Sequence, residues 1–297
     1  MQTWAWVQED TVPAGWKVVA AADFTNTPHL WWQNDATRQV TMWYLTGPGG
    51  SVLDHWNYLS TLGWTIVAAG DFNADSKPDL LWQNDETQEL QVSYMEEDGG
   101  TVFQGWTTLS TSLAGWTVVA AVDMNLDGKI DLVTRNNTTG QVRIWYFGGP
   151  GGNVFQSFAD VAMTGLSGWT VVTAADTNGD GTPDLVWQND ADRTLRITYM
   201  TGANGSTVLN TVAVSVDPLP AGWTVVAAGY FDADSNPDLL LEDSSSGVAT
   251  VWYMGPGGTT RLSWDFLSPD QTTLGWLIAG VADFNVDGRA DVVWQKK

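Results

Sequence analysis

The sequence predicts an all-β chain, a β-propeller of about six similar blades, and three observations carry the prediction. The dipeptide Gly-Trp recurs about every 50 residues, ending at Trp16, Trp64, Trp116, Trp169, Trp223 and Trp276. Each recurrence opens the same order of short β-branched and aromatic segments, broken by Gly, Pro, Asn and Asp. No segment shows a convincing helical period. A single small sheet cannot bury both of its faces, but sheets stacked face to face around an axis can.

The second copy shows the elements in order. Trp64 to Phe72 reads WTIVAAGDF, a continuous apolar run suited to a strand covered on both faces. A turn-rich segment, NADSKPD, follows, and LLWQND then reads as a second short strand. Leu90, Val92 and Tyr94 alternate with Gln91 and Ser93, the period of a third strand. After a Gly-Gly turn, TVFQGWTTL is the fourth. Small residues near each Gly-Trp fit a crowded inner strand, and larger aromatics fit wider outer ones. The Gly-Pro-Gly-Gly stretches at 47–50, 149–152 and 255–258 permit tight hairpins. The copies run over 15–62, 63–114, 115–167, 168–221, 222–274 and 275–297, within one domain of residues 1–297. The sixth copy holds only two strand segments. The N-terminal TWAWVQED, within residues 1–14, is expected to pair into it and close the ring.

Composition bounds the partners. The chain has 297 residues, 43% of them hydrophobic, so it can bury a large core. With 34 acidic and 12 basic residues its formal charge is −22, a field that repels nucleic acid and anionic membranes and suits cations. No run of about 20 apolar residues is present, so no membrane insertion is expected. Cysteine is absent, which removes disulfide and thiolate chemistry. Residues 1–10 lack the basic and apolar regions of a secretory signal.

The acids are not spread evenly. Between the first and second strands of four copies runs an Asp/Asn-rich loop. Its candidate metal ligands are Asp71, Asn73, Asp75, Lys77 and Asp79 in the second copy and Asp123, Asn125, Asp127, Lys129 and Asp131 in the third. Those in the fourth are Asp176, Asn178, Asp180, Thr182 and Asp184, and in the sixth Asp283, Asn285, Asp287, Arg289 and Asp291. Ca2+ takes six to eight hard oxygens, and alternate residues of a tight turn can point inward together. Gly at the sixth position, Ser76 in the second copy, supplies the bend. The seventh residue would contribute its backbone carbonyl, so its side chain varies. About four structural Ca2+ sites are expected. The simpler role of Asp and Asn, capping a turn through its own amides, needs one or two acids rather than four ligands at fixed spacing. The fifth copy puts Tyr230 at position one and keeps Asp232, Asp234 and Asp238, a weak or empty site. The first copy has a shortened loop, Asp23 to His29, and no metal is expected there.

The AADFN-type segment, the acidic loop and the PDLLWQND strand together resemble the FG-GAP/VCBS repeat family, over nearly the whole chain. That resemblance implies calcium in the loop between inner strands, an extracellular or cell-surface location, and an adhesive or sugar-binding role. Polysaccharide-degrading enzymes share the family, so it does not fix the activity.

Function then reduces to three classes. A lectin would use an indole face beside amides and carboxylates. Its candidates are Trp32, Gln33, Asn34 and Asp35, then Trp82, Gln83, Asn84 and Asp85, and Trp187, Gln188, Asn189 and Asp190. Repeated weak pockets would give avidity. Packing between blades is the competing role for each of these Trp. An adhesion or assembly module would bind an extracellular protein. A polysaccharide-active enzyme would need paired carboxylates, and those that cluster here are accounted for by calcium. Only His29 and His55 are present, in no catalytic spacing, and no enzymatic activity is expected.

Overall fold

The computed structural model describes residues 15–296 apart from 25–26, 48–49, 60–62, 97–101, 163–166, 217, 268–274 and 286. The first blade comprises β1 (Trp16–Phe24), β2 (Thr27–Asn34), β3 (Val40–Thr46) and β4 (Val52–Leu59). The second comprises β5 (Trp64–Gly70), β6 (Asp79–Asn84), β7 (Glu89–Glu96) and β8 (Val102–Ser112). The third holds β9 (Trp116–Val122), β10 (Asp131–Asn136), β11 (Val142–Gly148) and β12 (Val154–Asp160). The fourth holds β13 (Trp169–Ala175), β14 (Asp184–Asn189), β15 (Leu195–Thr201) and β16 (Thr207–Ala213). The fifth holds β17 (Trp223–Gly229), β18 (Asp238–Asp243), β19 (Ala249–Met254) and β20 (Arg261–Leu267). Each is an antiparallel sheet with its strands in chain order, the form of a propeller blade. Among the described residues there are five such blades rather than about six. Among the described residues the last copy is a two-stranded sheet of β21 (Trp276–Ala282) and β22 (Asp291–Lys296). Residues 1–14, expected to complete that copy, lie outside the described residues.

The chain divides into two compact units, one of Met1–Ala114 with Leu277–Lys297, the other of Gly115–Trp276. In the first, Trp31, Met42 and Tyr44 of one blade pack on Leu80, Trp82 and Met95 of the next. Val18, Trp32 and Trp43 pack on Phe284, with Ala279 and Val293 alongside. In the second unit, Val133, Ile144 and Tyr146 meet Val171, Leu185 and Trp187. Val186, Ile197 and Leu195 meet Val225, Leu239 and Trp252. Full burial contributes roughly 1.5–3 kcal/mol for each large apolar side chain. The second and third strands are covered on both sides, and the fourth is open to solvent. Ser93, read as the polar side of β7, is fully buried and accepts a hydrogen bond from Trp82 Nε1 at 2.8 Å.

Two irregularities recur. The first strand of every complete blade bulges after its third residue, leaving Val19, Val67, Val119, Val172 or Val226 without a partner across the ladder. A second register shift falls between the third and fourth strands, as at Tyr146/Phe147 and Tyr199/Met200. The hairpin at 149–152 closes through Gly152 N–H to the Gly149 carbonyl at 3.1 Å, with φ of 78° at Gly149, a left-handed value that favours glycine.

Candidate functional site

The acidic loops share one scaffold. In the second blade Asp71 accepts the N–H groups of Asp75 (3.0 Å) and Ser76 (2.8 Å), Asn73 Oδ1 accepts Asp75 N–H (2.9 Å), and Asp75 accepts Lys77 N–H (2.9 Å). Asp123, Asn125 and Asp127 repeat this, with Gly128 and Lys129 donating. Asp176, Asn178 and Asp180 do so with Gly181 and Thr182. Asp283, Asn285 and Asp287 do so with Gly288 and Arg289. Ser76 stands at the bend with φ of 66°, where the other three loops use glycine.

The ninth residue is the anchor. Asp79, Asp131, Asp184 and Asp238 are fully buried. One oxygen of each accepts the N–H of loop position two, from Phe72 (3.0 Å), Met124 (3.1 Å), Thr177 (3.1 Å) and Phe231 (3.1 Å). The other accepts an N–H of the third strand, from Met95, Phe147, Met200 and Met254, at 2.9 to 3.1 Å. Asp291 accepts Phe284 N–H at 2.9 Å. Burial raises these carboxyls by more than the N–H bonds lower them, and the loop's other carboxylates add to the rise. Asp79 and Asp131 are pushed up to about 7, Asp184 and Asp238 to about 6, and Asp291 in the same direction.

The donor set suits a hard divalent cation: three carboxylates, one amide oxygen and a backbone carbonyl in one turn. The carboxylates at positions one and five lie close enough to add to the rise of the ninth, Asp75 on Asp79 and Asp127 with Asp123 on Asp131. Each is nevertheless turned on to a backbone N–H, and among the described residues no three acidic side chains converge as a ready-made cage. Asp232 and Asp234 of the fifth blade keep the same turn, accepting from Asp234 N–H and Asn236 N–H, while Tyr230 at position one is exposed. The shortened first loop includes residues outside the described set. Its final residue, His29, replaces the anchoring Asp. It pairs with Ala22 as Asp79 pairs with Gly70, is buried, and meets Tyr44 edge-on at 4.9 Å.

The expected sugar platform is not formed. Trp32, Trp82 and Trp187 are 6%, 0% and 2% exposed, so their faces pack in the core and are closed to a ligand. Gln33 and Gln188 are also buried, and both span adjacent blades. Gln33 donates to the Trp64 carbonyl and accepts from Ile66 N–H, and Gln188 does the same to Trp223 and Val225. Gln295 repeats this on Trp16 and Val18, tying β22 to β1. Gln83 is the fourth glutamine of the series and is half-buried. Asn34, Asn84 and Asn189 cap the turns that follow, each accepting two backbone N–H groups. Of the third residues, Asp35 pairs with Lys17 at 2.7 Å and Asp85 with Arg38 at 2.8 Å, while Asp190 accepts the Thr170 hydroxyl. Accessible aromatics lie instead on outer strands: Trp56 and Tyr58 on β4, Trp106 on β8, Phe158 on β12, Trp264 and Phe266 on β20. The signal for them was the aromatic content of the fourth segments, which the fourth blade's TVLNTVA lacks.

Residues 71–134 and 123–187 match the sequence family described as FG-GAP-like repeat. No curated protein sequence matches the chain. Among solved structures, the Dos1 propeller is similar at a TM-score of 0.43 and 11% identity over 94% of this chain and 66% of that one. An engineered GH43 glycoside hydrolase with endo-xylanase and exo-arabinofuranosidase activity is similar at a TM-score of 0.47 and 11% identity, over 86% of this chain and 53% of its own.

Proposed function

We propose that this chain, an FG-GAP-repeat β-propeller, is a calcium-stabilised, non-catalytic binding module of the cell exterior whose ligand is carbohydrate. The observation that carries the calcium half is the loop scaffold, repeated with the same four oxygen-bearing side chains in four copies. Asp71, Asn73, Asp75, Asp79 and the Lys77 carbonyl would hold one ion, with their counterparts in the third, fourth and sixth copies. The ion would supply charge neutralisation to turns that otherwise crowd three carboxylates. Metal that binds the folded loop better than the unfolded chain stabilises by mass action, about 2.7 kcal/mol at a hundredfold excess over Kd. Isothermal titration of EDTA-stripped protein with CaCl2 tests this, and a flat isotherm with an unchanged melting temperature would refute it.

The carbohydrate half is supported by solvent-exposed aromatics on several outer strands, above all Trp56 beside Tyr58 and Trp264 beside Phe266, with ring centroids 4.7 and 4.9 Å apart. Exposed, edge-on aromatic pairs flanked by polar residues offer apolar faces to sugar C–H groups. Both histidines pack on Tyr44, His55 stacking on it at 4.0 Å, which favours a binding role over histidine-based catalysis. A glycan array decides between this reading and a protein-binding one. The second reading draws on Leu262, Trp264 and Phe266, which share one face of the open strand β20. A silent array with self-association in light scattering would favour it.

A further inference from the structure

Arg38 and Arg193 occupy the same place in two blades. Each lies four residues after the asparagine that ends its second strand, and each donates its backbone N–H to that asparagine's carbonyl, at 2.9 and 3.1 Å. Both backbones are left-handed, with φ of 59° and 61°. The third and fifth blades put Gly140 and Gly247 there, with φ of 73° and 72°. A side chain in this conformation costs roughly 1 kcal/mol. An outlier of this kind points to a use for the side chain.

The use of Arg38 is plain: its Nε donates to Asp85 of the next blade at 2.8 Å. In the fifth blade the residue in the place of Asp85 is Ser244. Arg193 therefore has no carboxylate across from it. It donates Nη1 to the Trp223 carbonyl at 3.0 Å and makes no ion pair among the described residues. Beside it lies a cavity of about 190 Å³, lined by Arg193, Asp190, Asn189, Thr170, Thr224 and the bulged Val172.

The wall of this cavity offers both signs of hydrogen bond. The remaining guanidinium N–H groups of Arg193 donate. Asp190 accepts, with one oxygen already holding the Thr170 hydroxyl at 2.8 Å. Thr224 does either, and Val172 adds an apolar face. The space is smaller than the roughly 300–1,000 Å³ of a drug-sized site. A free acid is disfavoured by Asp190 itself and by the formal charge of −22. We propose that this cavity between the fourth and fifth blades holds one neutral sugar ring, Arg193 donating to and Asp190 accepting from its hydroxyls. The proposal rests on the carbohydrate reading above and gives it a place.

The test is saturation-transfer difference NMR and calorimetric titration of the whole calcium-loaded protein with glucose, galactose, mannose and N-acetylglucosamine. At least one should bind. Arg193→Gly should weaken it at least about tenfold, the scale of a lost charged hydrogen bond, without lowering the melting temperature, since two blades use glycine there. Ser244→Asp should do the same while keeping every lining residue, by giving Arg193 the ion pair that Arg38 has. Binding that survives Arg193→Gly and Ser244→Asp but is lost in Trp264→Ser overturns the cavity and leaves the carbohydrate reading standing. A silent panel beside a positive glycan array also overturns the cavity alone. Silence in both overturns the two together.

Discussion

Gln188 reaches from the second strand of the fourth blade to Trp223 on the first strand of the fifth, donating its Nε2 hydrogen to the Trp223 carbonyl at 2.9 Å. Its Oε1 accepts Val225 N–H at 3.2 Å, so one buried side chain fastens two sheets by both ends of its amide. The bulge in the receiving strand falls directly after Val225.

Removing that amide strands the buried Val225 N–H and leaves the Trp223 carbonyl to Arg193 Nη1 alone, at 3.0 Å. Gln188→Leu is expected to destabilise by about 1–3 kcal/mol, the cost of one unsatisfied buried group. Gln33→Leu should behave alike. Urea unfolding measures it, and a change below about 0.5 kcal/mol would show that water replaces the bracket.

The fifth loop can be completed. Tyr230 is 45% exposed, so Tyr230→Asp removes little packing and restores a carboxylate at position one. Calcium stoichiometry by calorimetry should rise by one. An unchanged stoichiometry would mean that Asp232, Asp234 and Asp238 are not arranged to coordinate.

Calcium-free stability should fall as pH rises. Asp79 and Asp131 reach about 7 when folded, against an unfolded value of 3.8. The native state therefore binds more protons than the unfolded chain between these values, and stability attributable to the proton is fully present below about pH 4 and lost through about pH 7. In EDTA the urea midpoint should be higher at pH 5 than at pH 7.5, and Asp79→Asn with Asp131→Asn should reduce the difference, leaving the part due to Asp184, Asp238 and Asp291. With calcium the order should reverse, because the ion competes with the proton. A midpoint in EDTA that rises with pH would contradict the burial of these carboxyls.

Trp264 is 49% exposed on β20 and its loss opens no cavity in the core. Trp264→Ser together with Trp56→Ser should leave thermal stability within about 0.5 kcal/mol, as for surface changes in general. Binding of an array-positive polymer should weaken. Unchanged polymer binding would move the recognition surface away from the outer strands.

Strand order, blade pattern and loop position were legible because each rests on short-range chemistry: the apolar run after Trp64, the alternation through Leu90 and Val92, the turn at 73–79. The role of the WQND element was not. Trp82 and Gln33 look alike whether they face solvent or a neighbouring blade, and only the stacking of sheets decides it. The ninth aspartate showed a similar limit. Its spacing marked Asp131 as an oxygen donor, but nothing local revealed that both of its oxygens already receive N–H groups from two different segments. Arg193 escaped notice because its interest lies in what Ser244 lacks.

The bulge after the third residue of β1, β5, β9, β13 and β17 stands at one register throughout, always at a valine. During folding, a first strand from one copy can therefore mate with the second strand of another and find every irregularity matched. Such near-interchangeable parts make exchange between neighbours a natural route to trapped, wrongly assembled molecules. What distinguishes true partners is the length of the connecting turn and the few positions, such as Ser244 and Tyr230, at which the copies have drifted apart.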